Sequence, residues 1–343
     1  MKILILTQKV DYNDGVLGFF HNWLKKLAER FEYITVICLE KGDCDLPANV
    51  EVLSLGKESG NGRFTYMRLF YKYILQTKKN YDAVLVHMNP EYVVLGAWLW
   101  KLWGKKIALW YNHSYGDTKA TAAINLAHKV FFTSPYAFAT GFEKAQAMPV
   151  GIDTEQFNPQ DIKSASSSFK ILSIGRISPV KNVDTLIKAA HILEQDKFDF
   201  VVHIYGDAPS RDKMYFNTVK ESASDLIKKG RVVFHKGIAN IKTPGVYNQH
   251  DLFVNLTPSG SFDKTILESM SCKVPILICN KSLGNFLSND FLFEENDTKD
   301  LVRKIKHLAG KDLQSQQDNF RKYVIEKHSL RALIEKFYQA FKK

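Results

Sequence analysis

Ser173-Ile174-Gly175-Arg176-Ile177-Ser178-Pro179-Val180-Lys181-Asn182-Val183-Asp184 is the stretch whose reading decides the fold. An apolar run ends at Ile174, Gly175-Arg176 breaks it, and Lys181 opens a helical period. Strand, short loop and helix in that order form the unit of an open α/β sheet. The carboxyl edge of such a sheet gathers helix N-termini and backbone donors that favour anions. Arg176 and Lys181 both fall at that edge. A planar bidentate donor paired with a compact point charge suits a diphosphate. A surface Arg and Lys flanking a loop is the plain alternative.

Outward from this stretch the same alternation recurs. Downstream, strands are expected at 169–174, 199–205, 231–235, 252–255 and 274–278, with helices at 182–195, 211–228 and 264–271. Upstream, strand candidates are 2–7, 33–39, 50–55, 82–87, 105–111 and 129–133, and helices 18–30, 63–79, 90–103 and 120–127. The pattern predicts parallel sheets with crossover helices. At 343 residues the chain exceeds what one core usually serves. Two doubly wound α/β domains are expected, 1–160 and 161–325, joined through the polar, serine-rich stretch at 151–168. A tail from Asp300 reads as amphipathic helices broken near Lys311 and His328. Its last part, 326–343, is expected to be a helix docked at the domain junction.

A second segment carries chemistry: Thr257-Pro258-Ser259-Gly260-Ser261-Phe262-Asp263-Lys264-Thr265-Ile266-Leu267-Glu268-Ser269-Met270, followed by Cys272-Lys273-Val274-Pro275. A loop of small residues enters a helix, so unpaired amides face whatever lies before it. Glu268, one turn inside a mostly apolar helix, needs a partner for its charge. A pair of sugar hydroxyls and a structural ion pair both meet that need.

Composition narrows the classes. The chain is 45% hydrophobic and 24% charged, which fits a soluble globular protein. Net charge is +11, spread along the chain with no nucleic-acid-binding signature, so no nucleic acid is expected as partner. A diphosphate-bearing substrate or a lipid surface is the expected destination for that charge. Cys38, Cys44, Cys272 and Cys279 lack metal or disulfide spacing and read as reduced thiols. The apolar start, Met1 to Thr7, turns polar at Gln8 and suits a first strand instead of a signal peptide or span; the cytoplasm is the expected compartment.

The two segments, in this order, resemble the retaining family 4 glycosyltransferases, which carry a Gly-Arg-loop-Lys element and two glutamates with seven residues between them. Met148-Pro149-Val150-Gly151-Ile152-Asp153-Thr154-Glu155-Gln156-Phe157 is similar to that family's interdomain signature, and Tyr205-Gly206-Asp207 to its strand-to-Gly-Asp turn. The resemblance implies a GT-B fold, two Rossmann-like domains facing a central cleft. It implies a nucleotide-sugar donor, UDP- or GDP-linked, and a glycan or lipid-linked acceptor. By it, Arg176 and Lys181, after Gly175, neutralise the leaving diphosphate, Glu268 accepts the ribose hydroxyls, and amides near Ser261 and Phe262 hold the donor. With two cations and a helix dipole in place, no metal or other cofactor is implied. His113, at the end of Trp110-Tyr111-Asn112-His113, matches a cleft histidine, and Asp14-Gly15-Val16-Leu17-Gly18 the glycine loop beside donor and acceptor.

The chain departs from the pattern at Gly260, where the family has its first glutamate, the one that contacts the transferred sugar. Asp263 is the candidate substitute, or simply the cap of the helix at Lys264. Rival functions are therefore a nucleotide-sugar epimerase, a phosphorolytic enzyme, or a silent sugar-binding protein. Finally, 63–73 and 98–106 interleave bases and aromatics. Interfacial helices carry such residues, and so do core-facing helices with a solvated basic face. The first reading adds an anionic membrane surface as a partner, with the protein peripheral on the inner face.

Overall fold

Residues 1–161, 168–260 and 262–342 are described by the computed structural model. They form two units. The first gathers Met1–Asp153, Ala239–Ile241 and Ser329–Lys343, and the second Thr154–Ile238 and Lys242–His328.

The first unit runs β1 (Lys2–Val10), α1 (Gly18–Ala28), β2 (Tyr33–Lys41), β3 (Val50–Ser54), α2 (Arg63–Gln76), β4 (Ala83–His87), α3 (Pro90–Leu102), β5 (Lys106–Trp110), α4 (Thr118–Leu126), β6 (Lys129–Phe132) and β7 (Ala145–Ala147). Its described strands pair in the order β3-β2-β1-β4-β5-β6-β7, all parallel. A sheet buried on both faces needs strands apolar throughout, and Ile3 to Leu6 and Ala83 to Val86 supply that run. One face packs on α2, α3 and α4 through Phe70, Val93, Trp100 and Ile124, the other on α1 through Phe20, Trp23 and Leu27.

The second unit runs β8 (Phe169–Ile174), α5 (Val183–Gln195), β9 (Phe200–Tyr205), α6 (Lys213–Ser222), α7 (Ser224–Lys228), β10 (Val232–His235), α8 (Thr243–Tyr247), β11 (Leu252–Asn255), α9 (Lys264–Ser271), β12 (Ile276–Ile278), α10 (Thr298–Ala309) and α11 (Gln314–Tyr323). Its strands pair in parallel, β10-β9-β8-β11-β12. Strand order reverses beside β1 in the first unit and beside β8 in the second. Those are the switch points at which open α/β sheets take ligands.

Several boundaries differ from expectation. The helix expected at 211–228 breaks at Ala223, after the Ser222 hydroxyl has bonded the Val219 carbonyl at 2.8 Å. The strand expected from 274 starts at Ile276, because the Val274 amide closes α9 by donating to the Ser269 carbonyl. The helix expected to 79 ends at Gln76, where the Thr77 hydroxyl takes the Tyr73 carbonyl. Short β7 and α8 escaped notice, having too few residues to show a period.

Much of the expected linker is firmly held. Trp23 Nε1 donates to the Gly151 carbonyl at 2.9 Å, and the Leu330 amide to the Ile152 carbonyl at 2.7 Å. On the second unit's side, Arg321 donates to the Thr154 carbonyl at 3.2 Å and the Phe157 carbonyl at 3.0 Å. The serine-rich 162–167 lie outside the described residues. The tail ends in the expected helix, α12 (Leu330–Lys342), which belongs to the first unit's core, where Leu333, Ile334, Phe337 and Phe341 pack with Trp23, Trp110 and Phe131.

Candidate functional site

At the switch point of the second unit, β8 and β11 lie side by side, and the loops leaving them converge. After β8, Gly175 turns the chain. Gly206 follows the neighbouring β9, which ends at Tyr205, and a Cβ on Gly206 would lie 1.8 Å from the Gly175 carbonyl oxygen, so only glycine allows the two turns to meet. The turns are tied by the Gly175 amide to the Tyr205 carbonyl at 3.0 Å and the Ile177 amide to the Asp207 carbonyl at 3.1 Å.

Arg176 stands exposed on this turn and has no acidic partner among the described residues. Lys181 differs from expectation in detail: it ends a 3₁₀ turn, Pro179–Lys181, and α5 starts at Val183 after Asn182 in the left-handed region (φ 50°). Its ammonium donates to Thr257 Oγ1 at 3.0 Å and to Asp263 Oδ2.

Asp263 is the hub of this arrangement. Its carboxylate accepts from Asn255 Nδ2 (3.0 Å), Thr257 Oγ1 (3.1 Å) and Thr265 Oγ1 (2.9 Å), and caps α9 through the Thr265 amide (3.3 Å). Burial works against its ionisation but is outweighed by the Lys181 charge and by these donors, which hold the carboxyl well below the usual carboxylate range. Of the two roles open from sequence, helix cap is the one the geometry displays. To it is added a role no spacing announced, counter-ion to Lys181.

Glu268 lies on α9 and is only 4% exposed. Tyr247, fully buried at the end of α8, donates its hydroxyl to Glu268 Oε2 at 3.0 Å. Burial, together with the Glu268 charge, raises the Tyr247 pKa well above its ordinary value. Lys264 shares the helix one turn back; burial lowers its pKa well below the usual range, against the pull of Glu268. Tyr247 and Lys264 were missed by sequence reasoning. Spacing of four along α9 was the available signal for Lys264, and none existed for Tyr247, twenty-one residues from its partner.

Gly260 has φ 133°, a region open in practice only to glycine. The loop is therefore shaped for glycine, and a glutamate here would strain the backbone. Ser261 lies outside the described residues. Phe262 is buried, its ring 5.7 Å from that of His328.

Gly15, Gly18 and His113 belong to the first unit, also at the carboxyl edge of its sheet. Asp14 organises the glycine loop, accepting from the Val16 and Leu17 amides at 2.8 and 2.7 Å. It is itself held by Lys9 at 2.9 Å, a cation that also meets Glu40 at 3.0 Å and Asp11 at 3.3 Å. Gly18 opens α1 and is buried. His113 is exposed beside the rings of Tyr111 (5.3 Å) and Tyr115 (5.8 Å), and loss of solvation there lowers its pKa. Cys38, Cys44, Cys272 and Cys279 are unpaired, and burial pushes the thiols of Cys38, Cys272 and Cys279 up to about 12.

Two Rossmann-like doubly wound units, with a Gly-Arg turn and a carboxylate-bearing helix at the switch point of the second, define the GT-B class. The family profile described as glycosyl transferases group 1 matches residues 154–327, and the chain belongs to that family. Among curated relatives, it is 29% identical over 174 residues to the GDP-mannose-dependent alpha-(1-6)-phosphatidylinositol monomannoside mannosyltransferase of Mycolicibacterium smegmatis, spanning 45% of this chain and 44% of that one. It is 26% identical over 176 residues to the poly(ribitol-phosphate) alpha-N-acetylglucosaminyltransferase of Staphylococcus aureus (strain COL), spanning 49% of this chain and 34% of that one. The match thus spans less than half the length of either relative. HepE of Anabaena, solved in complex with UDP, superposes with a TM-score of 0.77 at 19% identity, covering 100% of both chains.

Proposed function

We propose that this protein is a retaining, metal-independent glycosyltransferase that moves a sugar from a UDP- or GDP-linked donor to a hydroxyl of a glycan or lipid-linked acceptor. The observation that carries the reading is the meeting of Lys181 with the capped start of α9 at the switch point of the second unit, on the loop that also carries the exposed Arg176. In this reading the donor diphosphate lies against Arg176 and draws Lys181 from Asp263. Asp263 keeps Asn255, Thr257 and Thr265 as donors while Lys181 does so. Glu268, steadied on one oxygen by Tyr247, accepts from the ribose hydroxyls with the other.

In the transfer step the bond from the anomeric carbon to the diphosphate oxygen breaks as the acceptor oxygen attacks on the same face. The acceptor proton passes to the departing phosphate oxygen. Charge developing on the diphosphate is met by Arg176, Lys181 and the helix dipole, which takes over the work of a divalent ion. Retention follows from the family resemblance. Four unpaired cysteines suit a reducing compartment, and the cytoplasm is the proposed location.

A second reading is favoured by Gly260: a protein that binds nucleotide sugars without turning them over. Incubating the chain with radiolabelled UDP- and GDP-sugars, with and without acceptor glycans and excess EDTA, separates the two. Transfer or slow hydrolysis that survives EDTA, with the product anomer matching the donor, is expected. Loss of turnover on chelation with rescue by magnesium, or inversion of the anomer, overturns the corresponding part. Binding with no turnover of any donor establishes the second reading.

A further inference from the structure

Cations occur all along this chain, but two segments carry them with almost no acid beside them. Residues 63–79 hold five cations and no acid, and 90–106 three cations and one acid, so these segments carry a net +7 of the chain's +11. They form α2 and α3 with their trailing turns. The helices lie against each other through the Tyr71 hydroxyl, which donates to the Leu95 carbonyl at 3.1 Å, and through Phe70 and Tyr92, stacked at 5.5 Å.

The inward faces of these helices are ordinary core, with Phe70, Ile74, Val93 and Trp100 buried. The outward faces are not ordinary surface. On α2, Phe64 is 77% exposed, with Met67 and Leu75 following it at helical spacing; on α3, Val94, Trp98 (61%) and Leu102 (75%) recur every fourth residue. Exposed Arg63, Arg68 and Lys72 flank the first stripe and Lys101 the second, with Lys78 and Lys79 at the end of α2. None of these six has an acidic partner among the described residues. Lys105 and Lys106 are spent within the unit, on the carbonyls of Tyr81 and Phe341.

A core-facing helix with a solvated basic face would keep its large apolar side chains inside. Here a Trp, a Phe and a Leu project outward among cations that have no acidic partner among the described residues, the composition that partitions into the interface of an anionic bilayer. We infer that the outward face of α2 and α3 docks on an anionic lipid surface, cations meeting headgroups and Phe64, Trp98 and Leu102 entering the acyl boundary. This inference stands on residues outside the candidate donor site and is independent of the transferase reading.

Sedimentation of the full chain with vesicles of phosphatidylglycerol and phosphatidylcholine, against phosphatidylcholine alone, tests it. Binding only to the anionic vesicles is expected, falling steeply from about 0.1 M to about 1 M salt as the screening length shrinks from about 10 to about 3 Å. Two surface variants, Arg68→Glu/Lys72→Glu/Lys101→Glu and Phe64→Ser/Trp98→Ser/Leu102→Ser, leave the core untouched, and thermal melts check that they fold. Each should weaken vesicle binding about tenfold or more. A parent chain that stays in the supernatant at low salt overturns the proposal, as does unchanged binding by folded variants. A parent dimer in gel filtration that both variants abolish, without vesicle binding, assigns the face to a second copy and also overturns it.

Discussion

Lys181 is held by Asp263, and Asp263 is also the residue that caps the helix carrying Glu268. One largely buried carboxylate therefore fixes both the cation proposed for the diphosphate and the helix proposed for the ribose. Because the Asp263 carboxyl is depressed below its unfolded value, its contribution to stability is complete above about pH 4 and is lost as pH falls further. Asp263→Asn should unfold more easily at neutral pH, with the gap to the parent closing below about pH 4. Denaturant titrations at descending pH read this directly; parallel curves would remove Asp263 from that role.

Lys181→Ala should cut turnover by roughly a hundredfold or more, the scale of losing a preorganised charge-stabilising group. The same change takes the counter-ion from Asp263, so stability must be measured beside activity. Lys181→Arg keeps the charge and should retain the melting temperature better. Near-parental turnover in folded Lys181→Ala removes this residue from the leaving-group site.

Tyr247→Phe leaves Glu268 one donor short in a buried setting and should cost about 1 to 3 kcal/mol of stability. Glu268→Ala should in addition weaken binding of free nucleoside diphosphate by about 1.5 to 3 kcal/mol, the usual contribution of hydrogen bonds to a charged group. Calorimetric titration of UDP and GDP into both variants distinguishes the supporting tyrosine from the binding carboxylate. Full affinity in folded Glu268→Ala would sink the ribose assignment.

Gly260→Ala should destabilise the chain by about 1 to 3 kcal/mol through backbone strain alone, since its φ of 133° excludes a Cβ in practice. Gly260→Glu carries the same strain, so restoring the family's glutamate by one substitution should not restore its geometry. Equal melting temperatures for parent and Gly260→Ala would refute this.

A pH response is expected from the second sheet. His203 Nδ1 and His235 Nε2 lie 3.0 Å apart, and the His250 ring meets His203 edge-on at 4.9 Å. Burial lowers all three pKa values, and neighbouring histidines add to it at His203 and His250, which fall to about 4. The unfolded chain binds these protons near pH 6.5, before the folded chain does, so stability should fall between about pH 6.5 and 4. His203→Gln should flatten that slope in thermal melts; an unaltered slope places the protons elsewhere.

Periodicity made both sheets legible because a parallel strand must be apolar throughout and a crossover helix must not. The cations at 176 and 181 were legible because position after a strand dictates position at a sheet edge. What stayed hidden depends on distance along the chain. Asp263 lies 82 residues from Lys181 and Tyr247 meets Glu268 from another helix, so no local pattern pairs them. The strain at Gly260 was hidden too, since a glycine in a loop of small residues does not declare its φ. Likewise the tail's amphipathic period announced that it covers an apolar face without saying whose.

That tail has a consequence for how the protein is made. Trp23, Trp110 and Phe131 precede the whole stretch 154–328 in the chain, but Leu333, Ile334 and Phe337, which cover them, follow it. The second unit has all its strands before α12 leaves the ribosome. The first unit must wait with an open aromatic face until α12 is made. A nascent chain arrested before residue 330 should thus present a finished second unit beside a half-built first one, and should be the species that chaperones engage.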